Sequence, residues 1–137
     1  MGQRAQAVEY GQKAMALFPK DNNIINNMGF IYLELDELDM ALEMFRKVIS
    51  NDSTHAFAYN NIGQILLKQN QLDDAIEYIL KSLEMDMDNA YAHRNLALAY
   101  IQRKEKTKAC LAIEKAMLSK FRLRLMEELQ ALQSSNC

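Results

Sequence analysis

The sequence has very little that interrupts a helix. Four glycines and one proline stand among 137 residues, while strong helix formers abound, so a helical class is favoured. Tryptophan is absent and methionine numbers nine, which predicts an adaptable rather than a stiffly aromatic core. The only two cysteines, Cys110 and Cys137, make no disulfide framework and have no metal-ligand spacing. His55 and His93 lack a metal-spaced or triad partner. Gly2, Gly11, Gly29 and Gly63 never cluster into a phosphate-cradling loop. Asp73-Asp74 and Glu127-Glu128 are adjacent on helices, so each pair diverges instead of converging on a substrate. These absences argue against an enzyme and against a bound metal or cofactor. No stretch approaches the ~18 consecutive apolar residues of a membrane span. Arg4, Gln6 and Glu9 interrupt any apolar signal core, and Gln6 stands where a myristoylation motif needs Ser or Thr. A soluble, cytoplasmic protein with no membrane partner is the expectation.

What is present is globular in composition: half hydrophobic and a quarter charged, at a length that suits one domain. The net charge of −2 argues against nucleic acid as a partner. It conceals an asymmetry. Residues 1–93 carry seven Lys/Arg against fourteen Asp/Glu, whereas residues 94–124 carry nine against two. The basic tract from Arg103 to Arg124 falls mostly on a turn and an outer helix and reads as a solvated outer face. The asymmetry itself admits head-to-tail self-association through a heterologous interface.

Self-similarity organises the chain. Asn26-Asn27-Met28-Gly29 recurs as Asn60-Asn61-Ile62-Gly63 and, altered, as Arg94-Asn95-Leu96-Ala97, in steps of 34 residues. Ala41, Ala75 and Ala109 keep the same step, and Ala7 extends that column backwards. Phe45, Ile79 and Ile113 form a large apolar column. Apolar residues fall at helical spacing within each unit, as in Ile62, Ile65 and Leu66 or Ala75, Ile76, Ile79 and Leu83. Small residues at Gly29, Gly63 and Ala97 let paired helices approach, and stacked neighbours complete a core that one pair cannot bury alone. Helices are expected near 3–17, 22–35, 38–50, 56–69, 72–84, 90–103 and 106–119, with Asp36 and Asn70 capping second helices. Cys110 shares a column with Val8, Leu42 and Ile76 and is expected in the core, with Cys137 as a terminal thiol.

These columns resemble the tetratricopeptide repeat, whose period is also 34. The first full repeat supplies Ile25, Met28, Gly29, Tyr32, Ala41 and Phe45, and the second Tyr59, Ile62, Gly63, Leu66, Ala75 and Ile79. The third supplies His93, Leu96, Ala97, Tyr100, Ala109, Ile113 and Ala116, and Pro19 fills the proline column of a leading partial repeat. The resemblance implies an all-α array of helix-turn-helix repeats winding into a right-handed superhelical solenoid. It divides a single domain, 1–137, into a partial repeat (1–21), repeats at 22–55, 56–89 and 90–120, and a C-terminal capping helix (121–137). Phe121, Leu125, Leu129 and Leu132 make that last helix amphipathic; it either docks as a cap, as array logic favours, or continues the preceding helix outward. The helix at 3–17 looks like the second half of a repeat, as a boundary cut through a longer array would leave it.

By the same resemblance, the first helix of each pair lines a concave face. Its inward positions are Asn23, Asn26, Asn27, Phe30 and Glu34, then Phe57, Asn60, Asn61, Gln64 and Lys68, then Tyr91, Arg94, Asn95, Leu98 and Gln102. Asparagine is a mediocre helix former, so the column Asn27, Asn61, Asn95 asks for a reason. An amide presents a donor and an acceptor, and a ladder of them can bond the C=O and N–H groups of an extended peptide. Similar ladders occur in tetratricopeptide superhelices that hold extended peptides. Phe30, Phe57 and Tyr91 would then supply apolar pockets. The competing reading makes the asparagines structural, inherited with the repeat or bonded to the neighbouring one, in a structural or self-associating slice of a longer array. Family adaptors that grip a chaperone's terminal carboxylate use a Lys/Asn, Asn and Lys/Arg set across three repeats. Those positions fall here on Asn26, Phe30, Asn61, Tyr91 and Asn95; only Asn61 fits, and a clamp would have to be improvised from Arg94 and Lys68. The implied partner is a protein or peptide whose identity the sequence does not name.

Overall fold

The computed structural model describes residues 2–120 and 125–137. Among the described residues there are eight α-helices and no strand: α1 (Gly2–Leu17), α2 (Asn22–Glu34), α3 (Leu38–Asn51), α4 (Ala56–Lys68), α5 (Leu72–Met85), α6 (Ala90–Gln102), α7 (Lys106–Leu118) and α8 (Met126–Asn136). The first seven agree with the sequence expectation to within one residue at each end. Of the expected last helix, Phe121 lies outside the described residues. The chain forms two compact units that meet in the first turn of α4, one running to Ala58 and the other from Tyr59.

In the first unit, α2 and α3 pack as an antiparallel pair through Ile25, Met28, Tyr32, Ala41, Phe45 and Val48, all buried. Gly29 sets how closely they meet. A Cβ there would lie 2.7 Å from the Phe45 ring, so any larger residue forces the pair apart. α1 leans on α2, with Gly11 against the Met28 thioether, yet it buries none of its own residues.

The second unit repeats the arrangement. A Cβ on Gly63 would meet Ile79 at 2.5 Å and the Ala75 carbonyl at 3.2 Å, which is the close α4–α5 approach read from the small-residue columns. Ala97 takes the same position between α6 and α7 and is fully buried.

One expectation is corrected at the turns. Asp36 and Asn70 do not occupy the N-cap positions of the second helices; Glu37 and Gln71 hold them, without side-chain caps of their own. Asp36, Asn70 and Lys104 instead sit in the left-handed region at φ 60, 59 and 61. Each ends a first helix. The following N–H groups of Glu37, Gln71 and Glu105 bond back to the Tyr32, Leu66 and Tyr100 carbonyls at 2.9 Å, a Schellman closure repeated every 34 residues. Asn and Asp tolerate this conformation because their short side chains bond locally. True side-chain caps occur between repeats, where Asp21 accepts from the Asn23 and Ile24 N–H groups and Asn89 from that of Ala92.

α8 docks rather than continuing α7. Ser119 is extended and ends α7, and Leu125 and Leu129 pack with Ala90, Ala116 and Met117. This return also corrects the cysteine reading. Cys110 and Cys137 are joined in a disulfide with Cα atoms 5.8 Å apart, and Cys110 is half-buried rather than core. The bridge spans 27 residues, and only the docking of α8 brings its ends together.

Candidate peptide-binding face

The asparagine column is not uniform. On α2 of the first unit, Asn27 is exposed, while its neighbour Asn26 is half-buried with an Oδ1 that has no hydrogen-bond partner. Phe30 is exposed on the same helix but rests edge-on against Phe45, ring centroids 5.6 Å apart. Phe57 is exposed at the start of α4.

In the second unit, Asn60, Asn61 and Asn95 are all buried. Asn95, only 1% exposed, donates through Nδ2 to Asn60 Oδ1 at 3.0 Å and accepts from Arg94 Nη1 at 2.7 Å. Arg94 Nε in turn donates to Glu128 Oε1 at 2.9 Å. A polar chain therefore runs across α4, α6 and α8. Its members follow the repeat, because Asn60, Arg94 and Glu128 stand 34 residues apart. In the sequence Glu128 reads only as half of a diverging carboxylate pair; its place in the Arg94 column, one period on, is the signal that identifies it.

Asn61 stands apart from this chain. Its Nδ2 is shut off from solvent and has no partner, a state shared among the described residues by Asn26 Oδ1, Ser82 Oγ, Asn89 Nδ2 and His93 Nδ1. An amide nitrogen left so is destabilising by about 1–3 kcal/mol until an acceptor reaches it. Of the other expected site residues in this unit, Gln64, Arg94 and Leu98 are half-buried, Tyr91 and Lys68 are exposed, and Lys68 is engaged by a neighbouring group. The unit thus brings together Asn60, Asn95 and Arg94 in one bonded set and leaves Asn61 with an unmet donor.

Hydrogen bonding from Thr54 holds the Asp52 carboxyl below its usual value, and Lys108, then Arg103, do the same for Glu105. No cluster of three or more His, Cys, Asp or Glu placed to hold a metal occurs among the described residues. None of the described helices is long and apolar enough to cross a membrane.

Solved structures share this architecture. A crystal structure of MamA protein superposes with a TM-score of 0.76 at 23% identity, covering 98% of this chain and 78% of that one. A complex of the TPR2B domain of yeast Sti1 with pHsp70 gives 0.78 at 20% identity over 84% and 94% of the two chains. The APC/C hetero-tetramer Cut9-Hcn1 gives 0.85 at 21% identity, over 97% of this chain and 26% of that one. No curated protein sequence matches the chain significantly. Two family models described as tetratricopeptide repeat match residues 20–88 and 60–121, the first of them over half the chain. With its 34-residue columns and its repeated helix pairs, the chain belongs to the tetratricopeptide repeat family.

Proposed function

We propose that the chain is a protein-docking module that holds an extended segment of a partner against the first helices of its repeats. The observation that carries this reading is Asn61 Nδ2, a buried donor with no partner on the inner column of α4. A small rotation of the side chain lets it meet a peptide carbonyl, and the bound peptide removes the penalty of the unmet donor. Asn27 offers the same group, already exposed, on α2 of the first unit. Phe30, Phe57 and Tyr91 are the exposed rings that would select among partner sequences. The related domain of yeast Sti1 is seen in complex with pHsp70, which supports peptide docking as a use of this fold. The present chain lacks the cations of the carboxylate-gripping adaptors, so its ligand is read as an internal extended segment.

Binding of native chain and of Asn27→Ala and Asn61→Ala variants to an immobilised peptide library tests this, with circular dichroism to verify folding. Loss of at least about tenfold in affinity, roughly 1.4 kcal/mol, is expected for Asn61→Ala. Peptide binding that is unchanged in both folded variants would reject the ladder.

A second reading has one specific observation behind it. The Asn95–Asn60 hydrogen bond ties neighbouring repeats, so at that position the asparagine acts as a structural link, as in a module that serves only as part of a longer array.

A further inference from the structure

The second unit has another surface that peptide docking on the inner helices does not use. A groove of about 730 Å³ lies between α5 and α7 and is floored by α6. Its α6 residues are His93, Leu96 and Tyr100. Asn95, Leu98 and Gln102 follow each of these by two residues, and so stand about 200° round the helix. The groove and the inner column are therefore on opposite sides of α6.

The floor is apolar, with Leu83, Leu96 and Ala112. The rims carry Leu80, Met87, Leu111 and Leu118, all exposed; Met87 and Leu118 are 79% and 80% exposed. The repeat does not require these side chains. One step earlier, the column of Leu111 holds Glu77, that of Leu118 holds Glu84, that of Leu80 holds Arg46 and that of Met87 holds Ser53. A helix pair folds with polar residues there, yet this unit gathers four large apolar ones around a single groove. One end is already built. His93 Nε2 lies 2.9 Å from the Met87 carbonyl oxygen, and the Ser119 hydroxyl donates to the Asp88 carbonyl, joining the α5–α6 loop to the end of α7.

Charge and backbone chemistry narrow the occupant. The α7 wall places Lys108 and Lys115 two turns apart among its leucines, while the α5 wall carries Glu84. Lys108 also pairs with Glu105 and lies 5.4 Å from the Tyr100 ring centroid, so Lys115 is the stronger anion site. Both walls are helices with internally bonded backbones, so an extended strand finds no edge to pair with. An occupant must satisfy its own backbone groups, as a helix does.

We propose that this groove docks an amphipathic helix of a partner protein, two to three turns long, with its apolar stripe on the α6 floor and its carboxylates along Lys108 and Lys115. The probe is a labelled, lactam-constrained helix of about 14 residues with leucines at helical spacing, glutamates on one flank and lysines on the other. A second peptide exchanges the two flanks. The variant is Leu111→Glu/Leu118→Glu, which copies the chemistry of Glu77 and Glu84 and is therefore expected to fold. Binding in the micromolar range is expected, lost by at least about tenfold in the double variant and weakened several-fold at low salt by exchanging the flanks. Amide shift changes should fall on α5 and α7. Equal binding by native and variant chains overturns the proposal, as does no binding at about 1 mM peptide. Concentration-dependent dimerisation that L111E/L118E abolishes, without peptide binding, overturns it in favour of a second copy as the occupant.

Discussion

α1 and α8 each close one side of their own unit, yet α8 buries Leu129, with Leu125 buried at its N-cap, whereas α1 buries nothing. α8 is held three ways: by that apolar contact, by the Arg94–Glu128 pair and by the Cys110–Cys137 bridge. α1 has Gly11 against Met28 and a long hydrogen bond, 3.5 Å, from Gln12 to the Tyr32 hydroxyl. Their outer faces differ in the same sense. α8 shows Glu127, Gln130 and Ser134 to solvent, while α1 shows Tyr10 and Leu17, the latter 73% exposed. Helix propensity is not what separates them, since both form. What differs is how much each one's apolar stripe finds to pack against, the source of most helical stability in a protein.

The largest expected effect comes from breaking the apolar hold on α8. Leu129→Ala should lower stability by about 3 kcal/mol, against less than about 0.5 kcal/mol for Leu17→Ala, read from urea unfolding. Similar losses from the two variants would end the distinction. Next is the bridge. Reducing it, or Cys137→Ser, should cost about 2–3 kcal/mol and lower the melting temperature, while hydrogen exchange in α1 stays fast and unchanged. A smaller effect is expected from Glu128→Gln, about 0.5–1 kcal/mol and shrinking with added salt, because the pair is partly exposed. The smallest is a pH effect in the first unit. Asp52 titrates below its unfolded value, so its contribution is complete above that value and disappears as pH falls through the lower, folded one. Thr54→Val removes the main cause, and the acid limb of a stability–pH curve should lose that component in the variant.

Much of the fold was legible because the repeat reports on itself. Gly29, Gly63 and Ala97 recur where helices must touch, so the columns locate the helix pairs to within a residue. The turns were misread for a physical reason. Asp36 and Asn70 suit an N-cap and a left-handed C-terminal residue equally well, and only the backbone bonds from Glu37 and Gln71 decide between the two. The candidate site was half legible. The asparagine column is visible in the chain, but exposure at Asn27, a bonded pair at Asn95 and an unmet donor at Asn61 are not. The outer groove left a sequence signal in Leu111 and Leu118, which stand where the preceding repeat has glutamates, although the basic tract around them reads as a plain solvated face.

By itself, then, the sequence determined the helical class, the 34-residue period, the pairing of helices and the asparagine column, since each is a matter of spacing along one chain. The tertiary structure alone decided that α8 returns to α7, that Cys110 meets Cys137, and which asparagines keep an unmet hydrogen-bonding group. Those facts depend on where neighbouring helices dock. Docking is governed by complementary packing between residues distant in the chain, and no local spacing encodes it.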